Sequence, residues 1–289
     1  MADPLIDTIL REHRLPDTFR AAVEDLHRPL AERVASAAQD HEGPLVVGLC
    51  GPQGSGKSTM AAVLGALLQA QGLAVAILSL DDLYLTRAER LCLGETVHPL
   101  LRVRGVPGTH DVALGIGLFG ALARPGATAI PAFDKAADDR RPPEQWPVVE
   151  GPVDVILFEG WCVGARPQSP EQLRAPINDL ERLEDADGRW RGFVNAALAG
   201  PYQQLFAAID LLILLEAPSF DAIYGWRLEQ ERKLRDRAGA GQHVMSDDEL
   251  RRFISHYERL TRHILAEMPA RADILISLAA DRSVLRRRW

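Results

Sequence analysis

The sequence predicts an α/β fold: a mostly parallel sheet with helices on both faces, preceded by an N-terminal helical extension and covered by a helical lid. Three observations predict it. Short apolar runs of strand length recur along the chain, a glycine-rich turn joins the first of them to a helix, and helical or irregular stretches separate the rest. A length of 289 residues accommodates two average domains or one elaborated α/β domain. Apolar residues at 47% and charged residues at 25% are the balance of a globular chain, which excludes disordered and fibrous classes.

Residues 1–40 place Phe19, Ala22, Val23 and Leu26, then Leu30, Val34 and Ala37, at helical spacing. Two or three short helices are expected there, so residues 1–43 are read as the extension and 44–289 as the main domain. The run 44–50 is continuously apolar, as a strand buried on both faces of a parallel sheet must be. Similar runs at 74–80, 153–158, 211–215 and 273–277 complete five strands. A helix over 56–70 sets Ala61, Leu64, Leu67 and Leu68 on one stripe, and Gly72 stands where a C′ glycine ends it. Ser246-Asp-Asp-Glu249 is a capping box that opens a second helix through Leu250, Phe253, Ile254, Tyr257, Leu260 and Ile264. The stretches 91–108, 132–152 and 163–187 are expected to be long loops that carry function, and 286–288 a solvated basic tail.

Charge and cysteine content narrow the setting. Thirty-three Lys and Arg against forty Asp and Glu leave a net charge of −7, which argues against nucleic acid as a partner and makes any anion site local. Cys50, Cys92 and Cys162 form no metal-binding spacing and are read as reduced core thiols. The first residues carry acids where a secretory signal needs basic ones, and no apolar run reaches ~18 residues. A cytoplasmic protein with no membrane partner is expected. Nothing in the sequence bears on oligomeric state.

Gly51-Pro-Gln-Gly-Ser-Gly56-Lys57-Ser58 satisfies Gly-x-x-x-x-Gly-Lys-[Ser/Thr] between a predicted strand and a predicted helix, the context of a phosphate-binding P-loop. The glycines let the backbone curl until its N–H groups and the helix N-terminus face a phosphate. The fold class is therefore an α/β P-loop NTPase that binds a nucleoside triphosphate, ATP or GTP, with Mg²⁺. Gly51, Gln53, Gly54, Ser55, Gly56, Lys57, Ser58 and Thr59 are the candidate nucleotide-binding residues. Lys57 would reach the β- and γ-phosphates and the Ser58 hydroxyl would ligate the metal.

Three further segments supply chemistry. The second strand ends in Asp81-Asp82-Leu83-Tyr84, at the sheet edge where ligands bind, and one of the two carboxylates can serve as a general base. The third strand ends in Glu159, placed to hold Mg²⁺ or its water shell; an unpaired carboxylate there would cost several kcal/mol. After the fourth strand, residues 224–237 alternate charge at helical spacing, and Arg227 and Arg235 are the candidates for closing over the γ-phosphate as part of the lid.

The chain resembles the D-glycerate 3-kinases of the plant and yeast type, within the phosphoribulokinase and uridine kinase group of P-loop kinases. The resemblance runs from about Pro44 to Val284. It rests on the P-loop through Thr59, on Ser79-Leu-Asp-Asp-Leu-Tyr-Leu-Thr86 and on His98-Pro-Leu-Leu-Arg-Val-Arg-Gly-Val-Pro-Gly-Thr-His-Asp111. Phe133-Asp134-Lys135, Phe158-Glu-Gly-Trp161, Tyr224-Gly-Trp-Arg-Leu228 and Ala280-Asp-Arg-Ser-Val284 add to it. It implies ATP-dependent phosphorylation of a hydroxyl on a small organic acid, with Asp81 as base. It also implies that Arg104, the 105–111 loop, Asp134 and Lys135 line the acceptor pocket. The candidate acceptor-binding residues are Asp82, Tyr84, Arg104, Thr109, His110, Asp134 and Lys135; Arg104, Thr109, His110 and Lys135 have the chemistry to bind a carboxylate and hydroxyls. Two departures lie on the acceptor side: Leu83 replaces the family's aromatic, and the family's Tyr-Asp-Lys-Ser stretch is shortened to Phe133-Asp-Lys-Ala-Ala-Asp-Asp-Arg140. The rival readings are a kinase for a nucleoside or pantothenate-like alcohol, and a regulatory NTPase that needs no acceptor.

Overall fold

A computed structural model describes residues 3–237 and 245–289, the side chains of 230 and 233–237 excepted. In chain order its strands are β1 (Leu45–Cys50), β2 (Val75–Ser79), β3 (Gly126–Ala129), β4 (Phe133–Asp134), β5 (Asp139–Arg140), β6 (Val148–Gly151), β7 (Val155–Gly160), β8 (Leu211–Glu216), β9 (Ile274–Leu278) and β10 (Val284–Arg288). Six of them form the main sheet in the order β10-β9-β8-β1-β7-β2. All neighbours run parallel except the β9–β10 pair. The five expected strands are present, and β1 and β7 are buried along their whole length because helices cover both faces.

The strand order positions the site. β7 lies between β1 and β2, with Glu159 paired in register to Leu49 on one side and Ser79 on the other. The P-loop after β1, the aspartates after β2 and Glu159 at the end of β7 therefore meet at one sheet edge, although they are far apart in sequence.

The helix Lys57–Ala70 leaves β1 through the P-loop. It ends in a Schellman motif, with Leu73 N–H on the Leu68 carbonyl and Gly72 N–H on that of Gln69. Ser246 and Glu249 form the expected capping box at the start of the helix Asp247–Glu267. The charged segment after β8 is a helix, Phe220–Arg237, anchored by Ile223 and Trp226; the indole N–H of Trp226 donates to the Ala280 carbonyl at 2.6 Å.

Each face of the sheet has its own apolar core. One contains Leu118, Leu122, Phe158, Tyr202, Leu205 and Tyr257; the other joins Leu64, Leu67 and Val155 to Ile6, Leu26, Leu30 and Val34. Residues of the N-terminal helices Pro4–Glu12 and Arg28–Gln39 thus pack into the same core as the P-loop helix. Leu30 is fully buried, so Leu30→Ala is expected to lower unfolding free energy by about 2–5 kcal/mol through lost transfer energy and a cavity. In urea unfolding the main transition should move as one; a separate early transition for residues 1–43 would instead make them an appended unit.

Several expectations for the connecting regions are corrected. The 91–108 stretch begins inside a helix, Arg87–Thr96, opened by a Thr86–Glu89 capping box. The 163–187 stretch contains the helices Pro170–Leu173 and Asp179–Glu184, capped by Ser169 and Asn178. The 132–152 stretch holds the β4–β5 hairpin and β6, which pairs with β3. Arg286–Arg288 is not a tail but part of edge strand β10, with the Arg288 guanidinium on the carbonyls of Pro269 and Ala272. Cys50 and Cys162 are buried free thiols as expected, whereas Cys92 is exposed. No helix among the described residues is long and apolar enough to cross a membrane.

Candidate active site

Phosphate chemistry begins in the loop between β1 and its helix. Gly54 has φ +80°, and a β-carbon there would lie 2.8 Å from Cβ of Trp226, so only glycine lets the loop pass under the helix Phe220–Arg237. Gly56 caps the helix from a left-handed conformation. Gln53, Gly54, Gly56, Lys57, Ser58 and Thr59 line a cleft of about 460 Å³. Gly51 is buried beneath the loop, and the Ser55 hydroxyl is turned inward without a hydrogen-bond partner.

Glu159 stands at the floor of this cleft. Its Oε1 accepts from the Ser58 hydroxyl at 2.8 Å and from the Ser79 hydroxyl at 3.1 Å. Oε2 is buried with no hydrogen-bond partner, 3.9 Å from Lys57 Nζ. A buried carboxylate oxygen left in this state is destabilising unless a cation completes it. Among the described residues no group of three or more His, Cys, Asp or Glu could hold a metal alone. A metal at Ser58 and Glu159 would therefore take its other oxygens from phosphates and water, as Mg²⁺ commonly does.

The two aspartates after β2 separate. They lie in a 3₁₀ turn, Leu80–Leu83, whose start is held by Asp81 N–H on the Ser79 hydroxyl at 3.3 Å. Asp81 faces the cleft: Oδ1 accepts from the Tyr84 hydroxyl at 2.8 Å and Oδ2 from Lys135 Nζ at 2.7 Å. Burial pushes its acidity down, but the charges of Lys135 and Lys57 prevail and hold the carboxyl well below the usual range. Asp82 is not a wall of the cleft; its Oδ1 accepts the Phe133 N–H at 2.9 Å and pins β4. Burial pushes the Asp82 carboxyl up, against the Phe133 hydrogen bond.

On the acceptor side, Arg104 and Lys135 line the cleft with Tyr84. Arg104 pairs with Asp138 and lies over the Phe133 ring at 5.4 Å. Its carbonyl accepts from the Tyr257 hydroxyl at 3.1 Å, while the Trp161 indole donates to the Gly105 carbonyl at 2.8 Å. Gly105 has φ +131°, and a β-carbon would fall 2.0 Å from the Tyr257 hydroxyl oxygen, so glycine is required where the loop meets this tyrosine.

Three more expected acceptor residues, besides Asp82, point elsewhere. Thr109 is fully buried and braces its own loop, accepting Gly105 N–H at 3.0 Å and donating to the Val106 carbonyl at 2.7 Å. His110 stacks behind Tyr84 at 4.6 Å, with Nδ1 on the Tyr202 hydroxyl. The same hydroxyl accepts Gly108 N–H at 3.0 Å. Burial depresses the imidazolium pKa to about 3. Asp134 accepts from Ala136 and Ala137 N–H at 2.9 and 3.1 Å, shaping the turn that presents Lys135.

With this geometry in view, the comparisons with known proteins are specific. No family model matches the chain. It is 37% identical to an uncharacterized kinase of Schizosaccharomyces pombe, mug58, over 223 residues covering 74% of this chain and 78% of that protein. It is 33% identical to the chloroplastic D-glycerate 3-kinase of Arabidopsis thaliana over 256 residues, 84% of this chain but only 53% of the plant protein. The solved structure of a D-glycerate 3-kinase from Cryptococcus neoformans superposes with a TM-score of 0.74 at 25% identity, covering 90% of this chain and 98% of that one. The chain belongs to the D-glycerate 3-kinase family. It is thus a P-loop kinase, a phosphotransferase whose acceptor is an alcohol group.

In and around the cleft of this kinase stand groups to which sequence reasoning gave no role. Phe253 and Tyr257, one turn apart on the helix Asp247–Glu267, form a wall; their apolar spacing reads as core, and only the packing exposes one side of each to the cleft. Arg282 enters from the turn before β10, donating to the Gly54 carbonyl at 2.9 Å and to Glu229 at 2.8 Å, with its guanidinium 5.6 Å from the Trp226 ring centroid. Arg90 is buried and binds the carbonyls of Leu85, Arg102 and Asp138, fixing the segments that carry Arg104 and Lys135. Of the two arginines expected to act as part of a lid, Arg227 lines the cleft, paired with Glu231 and over Phe253. The side chain of Arg235 lies outside the described residues.

Proposed function

We propose that this kinase transfers the γ-phosphoryl group of ATP to D-glycerate, giving 3-phosphoglycerate, with Asp81 as general base. The observation that carries this reading is the single cleft in which the P-loop and Glu159 face Asp81, with two cations, Arg104 and Lys135, beside that aspartate. A triose acid needs this combination: a base for its hydroxyl and positive charge for its carboxylate. The relatives named D-glycerate 3-kinase support the same acceptor.

The roles follow from position. The P-loop N–H groups and the start of the helix Lys57–Ala70 cradle the phosphates. Lys57 stabilises charge on the transferred group, and Arg227 adds a guanidinium from the lid helix. Ser58 and Glu159 hold Mg²⁺, which when bound neutralises phosphate charge. Arg104 and Lys135 orient the acceptor through its carboxylate so that its hydroxyl reaches Asp81. Thr109, His110, Asp82 and Asp134 shape the acceptor side from behind the cleft wall. A cytoplasmic setting with no nucleic-acid partner fits the acidic charge balance.

The test is ADP release by purified protein with MgATP against D-glycerate, nucleosides, a pantothenate-like alcohol and no acceptor. Release that requires D-glycerate is the expected result. Release with another acceptor would retain the kinase and change its substrate, and release independent of any acceptor would favour a regulatory NTPase.

A further inference from the structure

We propose that Lys135 is a gate on the base: it closes Asp81 to water and to neutral alcohols, and the carboxylate of an anionic acceptor draws it away. This inference rests on the D-glycerate reading of the same cleft and adds how that site selects its substrate class.

Both oxygens of Asp81 are occupied, Oδ1 by the Tyr84 hydroxyl and Oδ2 by Lys135 Nζ. Each oxygen keeps a second lone-pair site, but the Lys135 ammonium stands on the cleft side of Oδ2 and holds the carboxylate weakly basic, so a hydroxyl passes its proton to Asp81 readily once that ammonium has moved away. Tyr84 is fixed: its ring is buried, stacked on His110 at 4.6 Å and edge-on to Phe133 at 5.2 Å. Lys135 is free to swing, because its side chain is 61% exposed, sits on the turn between β4 and β5 and ends a flexible stem. The neighbouring Arg104 is less exchangeable, held by Asp138 and the Phe133 ring.

The carboxylate of Asp81 is only 26% exposed, so its pair with Lys135 is stronger than one at an open surface, and strengthens further as substrates exclude water. A neutral alcohol must break that pair and leave the ammonium without a partner. An acid exchanges one carboxylate for another. Once Lys135 has turned to the acceptor, the hydroxyl proton passes to Asp81 Oδ2 and the acceptor oxygen bonds the γ-phosphorus. The bond from that phosphorus to the β–γ bridging oxygen breaks, ADP leaves, and the proton departs from Asp81 to solvent. Water carries no carboxylate and does not open the gate.

The experiment compares wild type, Lys135→Met and Lys135→Arg for ADP release at saturating MgATP with D-glycerate, with glycerol and without acceptor. Glycerol differs from glycerate by a hydroxymethyl group in place of the carboxylate. In Lys135→Met, kcat/KM for D-glycerate should fall by about tenfold or more, the loss of one charge-assisted hydrogen bond. Release without acceptor and turnover of glycerol should both rise over wild type by about tenfold, as an uncapped base admits neutral nucleophiles. Lys135→Arg should keep the discrimination against glycerol. If Lys135→Met loses glycerate turnover while release with glycerol and with water stays at the wild-type level, Lys135 only binds substrate and the gate is overturned with the D-glycerate reading intact. A wild-type protein inert to D-glycerate would overturn that reading and the gate together.

Discussion

Lys57→Ala is expected to lower kcat by about 10²–10³-fold, the typical loss when a positioned group that stabilises transition-state charge is removed from an enclosed site. Lys57 Nζ lies at the floor of the cleft, 3.9 Å from the carboxylate of Glu159. At that separation the ammonium makes a loose ion pair rather than a hydrogen bond, which leaves its donors available to phosphate oxygens. The P-loop backbone that cradles the phosphates is unchanged in this variant, so the KM for ATP should move less than kcat. Steady-state ADP release measures both. Full activity in Lys57→Ala would remove the phosphate-site assignment.

Asp81→Asn is expected to lower kcat by about 10²–10⁴-fold, the range for loss of a positioned general base. Asparagine keeps the shape of the side chain and an oxygen for the Tyr84 hydroxyl, so folding and ATP binding should be nearly unaffected. Asp82→Ala should do the opposite. It strips the acceptor from the Phe133 N–H and should cost about 1–3 kcal/mol in stability, with a kcat loss far smaller than that of Asp81→Asn. The pair is read by urea midpoint and by kcat on each variant. A kcat collapse in Asp82→Ala with little change in Asp81→Asn would reverse the assignment of the two residues.

Neighbouring aspartates diverge for a geometric reason. Successive residues of a 3₁₀ turn are rotated by about 120° about its axis, so Asp81 and Asp82 cannot both face one cleft. In the sequence they are equivalent acids at the end of a strand, and only the resemblance to the kinase family singled out the first. The same limit applies to Thr109, His110 and Asp134. Their side chains have the chemistry to bind a hydroxy acid, yet each is consumed by nearby groups: loop atoms, the Tyr202 hydroxyl or a turn's N–H groups.

What the sequence by itself determined is what local pattern can encode. The five apolar runs specified five strands, of which β1 and β7 are buried along their whole length, the glycine-rich loop between strand and helix specified a phosphate site, and Ser246 with Glu249 specified a helix start. Each of these signals lies within a few residues and rests on sterics or backbone hydrogen bonding. Tertiary structure decided everything that depends on what arrives from elsewhere in the chain. It made an edge strand of 286–288 by giving those backbone groups β9 to pair with, and it brought Arg282 to the Gly54 carbonyl. It turned one side of Phe253 and Tyr257 from the apparent core into a wall of the cleft. It also set Lys135 on Asp81, because the insertion of β7 between β1 and β2 and the pinning of β4 by Asp82 bring distant polar groups within hydrogen-bond reach, a proximity that no local pattern contains.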